Sequence, residues 1–70
     1  MYDKVIGILN KSILVSPKNA NLHVSLAAIY LAQGQRARAV DELVIAGELD
    51  SSLKSQMQYY ISEIKAGRNP

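Results

Sequence analysis

Residues 20–50, ANLHVSLAAIYLAQGQRARAVDELVIAGELD, decide the fold. Leu22, Leu26, Ile29 and Tyr30 stand at offsets of four, seven and eight, the spacing of one helix face. Val24, Ala28 and Leu31 lie at a second angle, so this helix is apolar on two sides and is expected to meet more than one neighbour. Gly34 ends it, because glycine adopts the left-handed C-terminal cap without a side-chain clash. After Gly34-Gln35 the pattern resumes from Arg36 to Glu48, with Ala39, Leu43 and Ala46 on one face and Val40 and Val44 beside it. Helices joined by so short a link pack antiparallel, and small residues at Ala27, Ala39 and Ala46 let their axes approach closely. The stretch predicts an αα-hairpin.

On its N-terminal side, Tyr2 to Val15 carries Val5, Leu9 and Ile13 four apart, and Ile6 and Ile8 widen the stripe. Ser16-Pro17-Lys18-Asn19 separates this helix from the hairpin, since proline disfavours helix in the residue before it. On the C-terminal side, Asp50 or Ser52 can accept hydrogen bonds from the free amides that open the next helix. Leu53, Met57, Tyr60, Ile61 and Ile64 then form one apolar stripe, opposite Lys54, Ser55, Gln58, Ser62, Glu63 and Lys65. Such a helix suits the end of a stack, where only one side is covered. Gly67 and Pro70 are stop signals. The expectation is an all-α chain of about four helices, with no segment of strand period.

The turn signals Val15-Ser16-Pro17-Lys18 and Leu49-Asp50-Ser51-Ser52 lie about 34 residues apart, the period of a tetratricopeptide repeat. Residues 20–53 resemble that family in type and order. His23 stands at its usual tryptophan, Leu26 at its leucine, Ala27 at its small residue and Tyr30 at its tyrosine, followed by Gly34, Ala39-Val40, Ala46 and Glu48-Leu49-Asp50. The departures are His23 for a large aromatic, Gly47 inside a helix and Ser51 for the closing proline. By the same register, residues 1–16 resemble the second helix of a preceding repeat, residues 20–50 a full repeat, and residues 51–67 a terminal capping helix. The resemblance therefore implies antiparallel hairpins stacked as a short right-handed superhelix. A half repeat at the start leaves an apolar face at Tyr2, Val5, Ile6, Leu9 and Ile13, to be covered by a second copy or by the rest of a longer protein.

Composition bounds the chemistry. A chain of 70 residues allows one domain near the lower size limit for a self-sufficient core, and 49% hydrophobic content is that of a folded chain. There is no cysteine, hence no disulfide or thiolate site. No apolar run reaches the roughly 20 residues that span a bilayer, and residues 1–4 do not open a signal peptide, so a soluble segment without direct membrane contact is expected and its compartment is left open. The net charge of +2 is spread among acids, unlike the basic stripe that nucleic-acid binding requires. One histidine and dispersed acids offer neither a nucleophile beside a base nor a metal cluster, and Gly7, Gly34, Gly47 and Gly67 are too isolated to cradle phosphate. His23 reads as a packing residue. No enzymatic activity, cofactor or metal is expected.

What the resemblance implies instead is a protein or peptide partner held on the concave surface lined by the first helix of each repeat, here Asn21, Val24, Ser25, Ala28, Leu31 and Ala32. Because Val24, Ala28 and Ala32 stand where some members carry polar groups that grip a C-terminal carboxylate, an apolar helix or extended segment is the expected ligand. Val24, Ala28 and Leu31 are equally suited to packing on a neighbouring helix. Tyr59, off the core stripe, is an interface candidate. The alternative is that the chain is the soluble C-terminal tail of a larger bacterial protein such as a membrane polysaccharide (O-antigen) ligase, whose repeat tails the closing stretch from Tyr60 to Pro70 resembles.

Overall fold

A computed structural model describes residues 2–68; Met1 and the stop signal at Pro70 lie outside them. Its helices are α1 (Tyr2–Val15), α2 (Ala20–Ala32), α3 (Arg36–Leu49) and α4 (Lys54–Lys65), with a single 3-10 turn at Ser51–Leu53 before the last. No strand occurs among the described residues. The ends follow local chemistry. Asn19 Oδ1 accepts from the Asn21 amide at 3.1 Å and opens α2. Asp50, of the two candidates at the third boundary, is the acceptor: its Oδ1 takes the Ser52 amide at 3.0 Å and the Ser52 hydroxyl at 2.6 Å.

Both α2 and α4 close on a glycine of positive φ, Gly34 at 77° and Gly67 at 84°. In each, the next residue's amide reaches back five positions: Gln35 N to Tyr30 O at 2.8 Å, and Arg68 N to Glu63 O at 2.9 Å. The Arg68 side chain adds a two-pronged pair with Glu63, at 3.0 and 2.7 Å. Hydrogen bonding to Arg68, with its charge beside it, holds the Glu63 carboxyl below its ordinary value.

Helix α3 is the hub, with α2 against one side and α4 against another, while α1 rests on α2 alone. The seams are made of small residues. Ala39 and Ala46 are 0% exposed, and with Ala20, Ala27, Leu43, Met57 and Ile64 they form the core cluster. Gly47 is also buried, where α3 passes the start of α4; a Cβ there would stand 3.7 Å from the Lys54 Cα and the Met57 Cβ, which is ordinary contact. At the opposite end of the α3–α4 seam Arg36, at the start of α3, donates to the carbonyls of Ile64, in the last turn of α4, and Gly67, just past it, both at 3.4 Å. A cation there also faces the negative end of the α4 dipole.

Gly34→Ala is expected to cost about 1 kcal/mol, because an L side chain is disfavoured at that φ. Gly47→Ala is expected to stabilise by about 1 kcal/mol through helix propensity. Denaturant titration of the two variants checks the ranking, and the reverse order contradicts the seam geometry. Arg68→Ala should raise the Glu63 pKa toward its ordinary value in an NMR titration. The depressed value of the paired state means that the pair's contribution is present at neutral pH and is lost as pH falls through the folded-state pKa.

Candidate protein-binding surface

Between α2 and α4, above α3, runs an open groove of about 200 Å³. Val24, Ala27, Ala28 and Leu31 form one wall, Tyr60 and Ile64 the other, and Leu43 the floor. None of the seven is charged. The groove exists because α2 and α4 are each drawn onto α3 and their backbones stay apart. Its size falls below the roughly 300–1,000 Å³ of pockets that enclose whole small ligands, so it fits a few side chains of a larger partner.

Of the residues expected to face a partner, Val24, Ala28 and Leu31 line this groove, Val24 and Leu31 half-buried and Ala28 exposed. Asn21, Ser25 and Ala32 are exposed on α2 but lie outside the groove lining. Tyr60 and Ile64 are the wall that the sequence placed only in the core stripe; their spacing of four on α4 was visible, but not which flank of the stripe would turn toward α2. The Tyr60 hydroxyl accepts from Gln56 Nε2 at 3.1 Å, so the rim carries a neutral polar pair. Tyr59 is exposed, its ring tilted against Tyr60 with centroids 5.8 Å apart.

A second surface lies on α1, which buries no residue fully. Ile6, Leu9 and Ile13 are half-buried on the helix whose one neighbour is α2, and Tyr2 and Val5 are exposed. The most exposed large apolar residues of the helix are others: Val15 at 84%, Leu14 at 82% and Ile8 at 59%. Ile8 and Val15 border a shallow hollow with Lys11, Ser12 and Leu22.

The one histidine makes a defined contact. In the tautomer with its proton on Nδ1, His23 on α2 donates to Glu42 Oε1 on α3 at 2.7 Å, both side chains being half-buried. Glu42 is therefore not on a solvent face with the other α3 acids, and His23 ties the hairpin together where a larger aromatic would fill space. Among the described residues no group of three or more histidine, cysteine, aspartate or glutamate side chains could hold a metal ion. No described helix is long and apolar enough to cross a membrane.

The chain is 34% identical over 62 residues to the type VI secretion system accessory component TagJ of Pseudomonas aeruginosa, a match covering 89% of this chain. It spans 22% of the length of that relative. No protein-family model and no solved structure matches the sequence.

His23→Ala is expected to destabilise the fold by about 1–3 kcal/mol, since it leaves the Glu42 carboxylate half-buried without its hydrogen bond. Glu42→Gln, which keeps an acceptor, should cost less. Thermal unfolding followed by circular dichroism measures both, and equal stability of His23→Ala and the parent contradicts a structural role for the pair.

Proposed function

We propose that this chain is a non-catalytic protein-interaction module of the tetratricopeptide type, in which residues 1–16 are the second helix of a partial repeat, 20–50 a full repeat and 51–67 a terminal capping helix. The groove between α2 and α4 takes an apolar segment of a protein or peptide partner, and the uncovered α1 supports self-association. The observation that carries this reading is the groove itself: open, uncharged on every wall, and floored by a buried leucine. Apolar anchors that enter such a site give affinity by displacing water, whereas a charged group entering it would lose hydration without gaining a partner.

The residue pattern that resembles the repeat family supports the assignment, as does the similarity to an accessory component of a secretion system, a description that fits a part working by contact rather than by chemistry. It favours a bacterial setting and protein partners. It also favours this reading over a soluble tail of a polysaccharide ligase, which would place the same module at the end of a membrane enzyme.

Selection of peptides from a displayed library tests the groove. Bound sequences should be rich in apolar residues, and Ala28→Glu, at an exposed wall position, should weaken them by about tenfold or more, the equivalent of about 1.4 kcal/mol. Charged consensus peptides, or apolar ones indifferent to Ala28→Glu, contradict the assignment.

A further inference from the structure

We propose that copies of this chain join head to tail, the outer stripe of α1 in one copy lying antiparallel on the outer stripe of α3 in the next. Lys4, Ile8, Lys11 and Val15 follow one another along α1 at intervals of four, three and four, and all are exposed. Ala37, Asp41, Val44 and Glu48 repeat the same intervals along α3, and all are exposed as well. At these spacings each set lies along one helix face. Because the intervals read the same in both directions, one antiparallel register serves every position: Lys4 meets Glu48, Ile8 meets Val44, Lys11 meets Asp41 and Val15 meets Ala37.

The other pairings of the two stripes are mismatched. A parallel register sets Lys4 on Ala37 and Ile8 on Asp41, which strips water from charges that gain no partner. Two α1 stripes run antiparallel set Lys4 on Val15 and Ile8 on Lys11, and run parallel they set lysine on lysine. Two α3 stripes fail in the same ways, with Glu48 on Ala37 and Asp41 on Val44 or acid on acid. The pattern thus selects the mixed contact and opposes the like-with-like ones. Ile8 and Val15 are among the most exposed apolar residues of the chain, and their burial supplies attraction, while the charge pairs set register and choose the partner. Each copy carries both stripes, so the contact is heterologous and builds an open chain or a closed ring. The inference rests on α1 as a self-associating helix and does not involve the groove.

Sedimentation equilibrium of the full chain, across a concentration series at low and high ionic strength, reads the outcome. The expected result is a mass that rises with concentration and rises less at high salt. The double variants Lys4→Glu/Lys11→Glu and Asp41→Lys/Glu48→Lys should each associate at least tenfold more weakly on their own, and an equimolar mixture of the two should regain the association. Since all four sites are exposed, both variants should keep the parent's helical circular dichroism, and recovery in the mixture shows that both are folded. Ala28→Glu, in the groove, should leave the mass unchanged. Association that survives both charge reversals overturns the register while leaving self-association through α1 standing; a monomer under every condition overturns both.

Discussion

The close approach of two helices to α3 is the constraint on which everything else here depends. Ala39 and Ala46 present only methyl groups to the seams, and both are wholly buried. At Gly47 a Cβ would stand 3.7 Å from the Lys54 Cα and the Met57 Cβ, so that point of the α3–α4 junction admits a methyl group but little more. Axis separation follows the side chains at a crossing, so larger residues at these points would push α2 or α4 outward. In a chain of 70 residues there is little other core to compensate. The polar ties lie along the same seams: His23 to Glu42 between α2 and α3, and Arg36 to the final carbonyls of α4.

Two open surfaces follow from that arrangement. With α2 and α4 both seated on α3, the space between them is walled by side chains that are half core and half surface, such as Val24, Leu31 and Tyr60. At the other end, α1 has one neighbour where α3 has two, and its outer side stays apolar and wet at Ile8, Leu14 and Val15. These are the two faces that the proposed contacts with other chains use.

Much of this was legible in the sequence, because it is local. The helices predicted at 2–15, 20–33 and 36–48 end within a residue of those observed, since proline, glycine and capping side chains act within a few residues of the backbone they control. Ala27, Ala39 and Ala46 were also readable as the small residues of a close crossing, whereas the burial of Ala20 was not. What was not readable depends on how helices are placed. The α1 stripe from Val5 to Ile13 is broad, and periodicity does not say which edge of a broad stripe meets α2, so the exposure of Val5 and Ile8 was hidden. His23 and Glu42 are separated by 19 positions, and their pairing emerges only when α2 and α3 are antiparallel. Tyr60 and Ile64 read as core; Ile64 is buried and Tyr60 packs half-buried against the core, and that they also wall a groove depends on the gap between two helices that never appear adjacent in the chain.

Amide hydrogen exchange in dilute solution, followed residue by residue, tests the central claim most directly, because protection tracks how completely each helix is covered. The account predicts the slowest exchange in α3 between Ala39 and Ala46, intermediate protection in α2 and α4, and the fastest helical exchange in α1. Protection of α1 equal to that of α3 would contradict it: the first helix would then have a second neighbour already, and neither the hub nor the open face would stand as described.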